Sequence, residues 1–488
     1  MTNVLEYLQK TAKSLPNKVA FADEKNSLTF SELLRLGRNL GEYIAFKSAL
    51  YNRPVAVLSD RSVMTLAVYV GVLYSGNYYV PIDAKMPDER IRAILSRFDP
   101  LAVLSADDKH ELASLSCGHG FRFNSKTEIK RRVLDIDPAY MLFTSGSTGE
   151  PKGIVISHRG VIDCIEWEAS EFGFSQDDVL ASQVPFFFDP FIKDFFLTLK
   201  CGMTAYILPK KLFMTPLRLM ESIRDKKTTV LLWATSAFNL VANSGALAKC
   251  VPESLHTVVF GGEQIFAKQL LVWQDALPGV RFINFYGPTE VTVECAYHVI
   301  DRRYEDDEVV PIGIPCGNKE ISLLDENLNP VPHGQPGEIC VRGIGLSLGY
   351  YGDNDKTDIA FVQNPANPWY RDIIYRTGDI GMYNEEGLLV FMSRKDDQIK
   401  HMGYRIELGE VEAAMLGIKG VIEAACFYTN ELIHAVYTGD AASTDIVGAL
   451  HEKLPKYMHP TVFYRMDKLP RNPNGKIDRT QIKSKVSK

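Results

Sequence analysis

The sequence predicts an α/β protein: a large N-terminal domain of parallel sheets flanked by helices, a small β section, and a small α+β C-terminal domain. Three textures predict it. From Pro54 to Gly287, short β-branched runs alternate with helical patterns: PVAVLS from Pro54, LAVLSA from Leu101, AYMLFTS from Ala139, TAYILP from Thr204, TVLLW from Thr229, TVVFGGE from Thr257 and RFINFYG from Arg281. Such alternation argues for parallel sheets covered by helices. Between Gly313 and Gly349, short strands are separated by Gly, Pro and Asn, as in NLNPVPHGQPGEICVRG, which reads as a small antiparallel section. After Arg394, KDDQIKHMGYRIELGEVEAAM opens a compact α+β segment that runs to NPNGKIDR. The expected division is therefore 1–395 and 396–488. The charged stretch Lys395 to Asp397 lacks apolar periodicity and reads either as an interdomain hinge or as an ordinary loop.

Composition bounds the function. With 488 residues the chain can bury large cores, about three compact units at ~150 residues each, without disulfide support. A net charge of -6 supplies no basic field for nucleic acid, and 46% hydrophobic with 23% charged residues excludes a disordered chain. The eight cysteines are scattered without a CxxC pair, as expected of reduced thiols. The N-terminal MTNVLEYLQKTAKSLPNK lacks the apolar core of a signal peptide. The run LAVYVGVLYSG from Leu66 breaks well short of the ~20 residues that span a bilayer. A cytoplasmic monomer without a membrane span is expected.

The strongest local motif is YMLFTSGSTGEPKG, Tyr140 to Gly153, where a strand runs into a loop of Gly, Ser and Thr. Glycines let backbone N–H groups point inward and hydroxyls add donors, which makes a cradle for phosphate. It is not a Walker loop, because Pro151, Lys152 and Gly153 stand where Gly-Lys-Ser/Thr is required. GIGLSLG from Gly343 has the wrong spacing for a dinucleotide fingerprint and reads as β turns. INFYGPTE, Ile283 to Glu290, offers Tyr286 for stacking and Glu290 for Mg2+; by itself it also suits a buried tyrosine beside a turn. YRTGDIG puts Asp379 in a tight turn after a strand, suited to ribose hydroxyls or to plain turn formation. Lys476, in NPNGKIDR, gains interest only from this company.

Together these segments resemble the adenylate-forming superfamily, in particular nonribosomal peptide synthetase adenylation domains and stand-alone D-alanine:carrier-protein ligases. The resemblance spans the chain in order: LTFSEL, LYSGNYYVPID, the phosphate loop, FFFDPFIKD, INFYGPTE, GEICVRGIGLSLGYY, YRTGDIG, SRKDDQIKHMGYRIELGEVE and NPNGKIDR. It implies activation of an amino acid by ATP with Mg2+, then transfer to the phosphopantetheine thiol of a carrier protein. Thr144, Ser145, Gly146, Ser147, Thr148, Gly149 and Lys152 would grip the β and γ phosphates. Gly262, Glu263, Asn284, Tyr286 and Gly287 would line the nucleotide site, with Thr289 near the α-phosphate and Glu290 on Mg2+. Asp379 would take the ribose with Arg394 nearby, and Lys476 would bridge carboxylate and phosphate. Thr144, Lys152, Glu290 and Lys476 would be the catalytic groups, Asp396 the hinge of a mobile C-terminal domain, and Lys400 to Gly403 the face used in thioester formation.

By the same resemblance Asp189 pairs with the substrate α-ammonium, and Pro190, Lys193, Leu232, Val259, Gly261, Phe285, Val293 and Glu294 line the side-chain pocket. Lys193 invites a side-chain carboxylate such as that of glutamate or aminoadipate; alternatively it pairs with Glu294 and leaves room for a small or polar side chain. D-Alanine ligation and acyl- or aryl-coenzyme A ligation are the rival activities. Two departures stand out: Ser393 replaces the usual Gly before Arg394, and Phe191 replaces the Ser of FDxS. No LGGxS attachment motif appears, so the thiol is expected from a separate carrier, or from a neighbouring domain if the chain is a piece of a longer synthetase. A small MbtH-like activator is a further expected partner.

Overall fold

The computed structural model describes residues 1–106, 115–116, 132–145, 151–265, 267–305, 308–471 and 477–486. They form two compact units: Met1–Ala84, Pro100–Leu142 and Ile154–Ser393 make the larger one, and Lys85–Asp99, Phe143–Gly153 and Arg394–Lys488 the smaller.

The larger unit holds the parallel sheets. A nine-stranded sheet runs in the order Ile314–Pro315, Ala296–Val299, Arg281–Tyr286, Thr257–Gly261, Val230–Ala234, Val179–Ser182, Thr204–Ile207, Val19–Ala22, Ser27–Thr29. From Arg281–Tyr286 to Val19–Ala22 every pairing is parallel, and the outer strands are antiparallel. A six-stranded sheet orders Leu115–Ser116, Val103–Ser105, Pro54–Ser59, Tyr78–Asp83, Pro138–Thr144 and Lys152–Ser157. Every β-branched run quoted above is a strand. Helices cover them because their apolar residues recur at helical spacing: in His158–Phe172 the buried positions are His158, Gly160, Val161, Cys164, Ile165, Glu168 and Phe172. LTFSEL marks a helix start, with Thr29 accepting from the Glu32 amide at 3.2 Å and Glu32 accepting from the Thr29 amide at 2.9 Å, a reciprocal cap. The run at Leu66 lies in the buried helix Val63–Tyr74, and among the described residues no helix is long and apolar enough to cross a membrane.

The antiparallel section is larger than its sequence texture implies. Lys319–Leu324, Gly337–Gly343, Ile373–Tyr383 and Phe361–Gln363 pair in that order, and Leu389–Arg394 joins Ile373–Tyr383. The section thus runs beyond Gly349 to Arg394, because strands rich in Tyr, Arg and Asp hide their alternation.

In the smaller unit, Gln398–His401 and Tyr404–Glu407 form a hairpin whose two-residue turn places both Met402 (φ 54°) and Gly403 (φ 81°) in the left-handed region. A three-stranded sheet of Val421–Thr429, Leu432–Gly439 and Val462–Arg465 packs with the helices Leu408–Leu416 and Ser443–Lys453 around Ile406, Val411, Met415, Ile433 and Ile446.

Candidate active site

In the larger unit, the expected pocket residues meet at the carboxyl ends of adjacent parallel strands, where open α/β sheets place their ligand sites. The register sets Leu232 beside Val259, and Gly261 beside Phe285. Gly261 has no room for a side chain, since a Cβ there would lie 2.5 Å from the Phe285 carbonyl oxygen.

After Tyr286 the chain turns back on itself. Thr289–Val291 is a single 3-10 turn, and Thr292 (φ 60°) and Val293 (φ 73°) follow in left-handed backbone, a costly state for β-branched residues. The Cys295 amide then donates to the Tyr286 carbonyl at 2.8 Å. Gly287 permits this reversal, because a Cβ there would sit 2.4 Å from Glu294 Cα. GIGLSLGYY braces the loop, consistent with turns rather than a nucleotide fingerprint: Thr292 donates to the Gly345 carbonyl at 2.6 Å, the Ser347 amide to the Glu290 carbonyl at 2.8 Å, and the Tyr350 hydroxyl to Glu290 Oε1 at 3.0 Å. Glu290 is buried, and its hard carboxylate oxygens suit Mg2+.

Asp379 corrects an expectation. It does not lie in a turn after a strand but inside the strand Ile373–Tyr383, at an irregularity where the pairing shifts between Glu338 and Cys340 and Gly378 takes φ 74°. Such a bulge re-aims a side chain. Asp379 Oδ2 accepts from the Tyr286 hydroxyl at 2.5 Å, which joins the two motifs assigned to base and ribose. Burial first, and then the Asp379 charge, raises the Tyr286 phenol well above its usual range, so it stays a donor. Asn284 donates to the Pro311 carbonyl at 2.9 Å, and the Glu263 carbonyl accepts from Thr235 at 3.3 Å next to Gly262 (φ 98°).

Asp189 and Pro190 precede the helix Phe191–Cys201, and Asp189 Oδ2 accepts from the Thr289 hydroxyl at 2.7 Å. The substitution of Phe191 is accommodated by the core, where its ring stacks on Phe186 with centroids 4.2 Å apart. Lys193 lies one turn beyond Asp189. Of the two readings left open for it, the internal pair is what forms: Nζ is 3.0 Å from Glu294 Oε2 and 4.1 Å from the Phe285 ring centroid. It also lies 3.8 Å from Glu168, a residue that sequence reasoning did not name. The signal was present, because Glu168 is the one carboxylate on the buried stripe of its helix. Burial alone would lower the Lys193 pKa, but Glu168 and Glu294 more than offset it and hold the ammonium charged.

In the smaller unit, Thr144 ends the strand Pro138–Thr144, and its buried hydroxyl has no hydrogen-bond partner among the described residues. Such an orphan suits a phosphate oxygen. The Ser145 hydroxyl donates to the Arg405 carbonyl at 2.9 Å and accepts from the Glu407 amide at 3.1 Å. Lys152 opens the strand Lys152–Ser157, and Lys400 and Gly403 belong to the hairpin. Arg394 grips Asp396 with two hydrogen bonds of 2.7 and 2.9 Å; burial would raise that carboxyl, and the guanidinium holds it below the usual range. Gly146, Ser147, Thr148, Gly149 and Lys476 lie outside the described residues.

Comparisons with known proteins give the family and the fold. A profile described as AMP-binding enzyme matches residues 8–351. Bacitracin synthase 3 of Bacillus licheniformis is 32% identical over 492 residues, covering 98% of this chain and 8% of that protein. Tyrocidine synthase 2 of Brevibacillus parabrevis is 31% identical over 489 residues, covering 98% and 13%. The chain therefore spans about a tenth of the length of the curated relatives it matches. The structure of holo-PA1221, an NRPS protein containing adenylation and PCP domains, superposes with a TM-score of 0.86 at 23% identity, over 99% of this chain and 84% of that one, a likeness of fold. By the extent of the profile match and the bracing of its motifs, the protein belongs to the AMP-binding enzyme family, within the adenylate-forming superfamily that includes nonribosomal peptide synthetase adenylation domains.

Proposed function

We propose that the chain activates an amino acid as its aminoacyl-adenylate and passes the acyl group to the phosphopantetheine thiol of a carrier protein. The observation that carries this reading is the 2.7 Å hydrogen bond from Thr289 to Asp189, which ties the nucleotide motif to the carboxylate suited to an α-ammonium. In the first step a carboxylate oxygen of the substrate bonds to the α-phosphorus of ATP and pyrophosphate leaves. Asp189 holds the ammonium, Tyr286 and Asp379 the base and ribose, and Thr144, Ser145, Lys152 and the adjoining Gly146 to Gly149 the outer phosphates. Glu290 would supply an oxygen ligand for Mg2+, whose charge when bound would offset that of the phosphates. Lys476 lowers the repulsion between the two approaching anions.

In the second step the thiol sulfur bonds to the acyl carbon and AMP leaves. The segment 396–488 alternates about Asp396, taking Lys476 away and bringing the face from Lys400 to Gly403 to the adenylate. Names of relatives such as tyrocidine synthase 2 support a peptide-synthetase context, and a carrier protein and a small MbtH-like activator fit it.

An acidic side chain, the expectation from Lys193, loses its main support because that ammonium already faces Glu294 and Glu168. ATP–pyrophosphate exchange across amino acids and simple carboxylic acids tests the reading. Exchange with amino acids is expected, and exchange only with simple acids would replace it by acyl- or aryl-coenzyme A ligation. Asp396→Pro is expected to retain adenylation and lose thioester formation; equal loss of both half-reactions would remove the hinge.

A further inference from the structure

The side-chain pocket is open only at its mouth. Asp189, Pro190, Gly261 and Gly262 are half-buried, whereas Leu232, Val259, Phe285, Val293, Lys193 and Glu294 are only 1–7% exposed. Strand packing closes one wall: Gly261 lies so close to its neighbour that a Cβ there would come 2.5 Å from the Phe285 carbonyl oxygen. Lys193 closes the rest by joining its own helix, Phe191–Cys201, to three other elements. Its Nζ stands 3.0 Å from Glu294 in the loop after Tyr286, 3.8 Å from Glu168 on the helix His158–Phe172, and 4.1 Å from the ring centroid of Phe285 in the strand Arg281–Tyr286.

Two features keep this brace in place. Moving the ammonium aside would leave the Glu294 carboxylate buried without its cation, which is strongly unfavourable. Nor can Glu294 swing away, because the backbone on both sides of it is fixed: Val293 sits in the left-handed region (φ 73°), the Glu294 amide donates to the Thr292 carbonyl at 3.0 Å, and the Cys295 amide to the Tyr286 carbonyl at 2.8 Å. The same brace decides the charge that the pocket accepts. A side-chain carboxylate would be driven towards Glu294, and a side-chain ammonium would find the cation's place already taken by Lys193.

We propose that the activated amino acid has a small, uncharged side chain, of the size found in glycine, alanine or serine, and that the buried Lys193–Glu294 pair is the plug that excludes anything longer. This rests on the amino-acid adenylation reading above and narrows it to one substrate class. Asp189 at the open mouth holds the α-ammonium. Lys193 and Glu294 are then specificity residues that act by filling space and cancelling each other's charge, with the Phe285 ring adding bulk beside them.

The test is ATP–pyrophosphate exchange by the whole chain with glycine, L-Ala, D-Ala and L-Ser against L-Leu, L-Phe, L-Glu and L-ornithine. The expected result is a kcat/KM for at least one of the first four that is about tenfold or more above that of each of the last four. In the double variant Lys193→Ala with Glu294→Ala, which removes the plug together with both its charges, exchange with L-Leu is expected to rise at least about tenfold over the unaltered chain. Preference of the unaltered chain for a long or charged amino acid, or no gain with L-Leu in a folded double variant, overturns the inference while leaving adenylation intact. If the double variant does not fold, the substrate order of the unaltered chain decides alone. Exchange with simple carboxylic acids only overturns the adenylation reading itself, a different outcome.

Discussion

Two sets of buried polar groups in the larger unit are built on opposite principles. On the nucleotide side, polar groups are matched within the protein: Tyr286 with Asp379, Thr289 with Asp189, Tyr350 with Glu290 and Ser347 with the Glu290 backbone. Close to Lys193 and Glu294, by contrast, the Glu168 carboxyl and the Tyr140 hydroxyl have no hydrogen-bond partner among the described residues. A polar group matched within the protein recovers its desolvation in a hydrogen bond, whereas an unmatched buried one carries that cost in the folded state.

The sharpest way to break the comparison is at its joint. Gly287→Val places side-chain carbon against the Glu294 backbone at 2.4 Å and should undo both regions together. Exchange activity is expected to vanish and stability to fall by about 3 kcal/mol or more, read by thermal unfolding. A variant with native stability and activity would show that the reversal is dispensable.

Next comes the buried pair. Lys193→Met strands two carboxyls and should cost about 3–5 kcal/mol, while Lys193→Met with Glu294→Leu should recover most of it, as buried ion pairs often tolerate joint replacement. Denaturant unfolding of the single and double variants decides; additive losses would mean the two side chains act independently. On the matched side a smaller and different effect is due. Asp379→Asn removes a charge-assisted acceptor from Tyr286 and should raise the KM for ATP about tenfold with little change in the KM for the amino acid.

The smallest effect is a pH slope. Burial raises Asp194 to about 7, against the opposing pull of Ser182, Lys193 and Arg61. The folded state therefore binds the extra proton between the ordinary carboxylate range and about pH 7, so this contribution to stability is complete in acid and is lost as pH rises through that window. Asp194→Asn should flatten the fall in melting temperature between pH 5 and pH 8; an unchanged slope would assign it to other groups.

The sequence made the β-branched strands and the order of the motifs legible, because alternation and Gly-rich punctuation are local. Tyr78–Asp83, inside the motif LYSGNYYVPID, is a strand that the alternation does not single out; it carries Pro81, which cannot donate to a ladder. It is tolerated there because on the side of Pro138–Thr144 the pairing is registered at Tyr79 with Tyr140, and Pro81 pairs with Val57 on the other side. Asp379 was identified as a residue but misplaced in geometry, because a bulge depends on the partner strand. Glu168 was missed because its meaning depends on Lys193 and Glu294, distant along the chain and brought together only by packing.

One hydroxyl carries a consequence of its own. Ser145 has a single proton, and it gives that proton to the Arg405 carbonyl while taking the Glu407 amide. A phosphate oxygen that claims this proton must release Arg405, so the loop and the hairpin backbone draw on one donor that cannot be divided. The Ser145 oxygen can go on accepting from the Glu407 amide throughout, so the exchange of proton partners touches Arg405 alone.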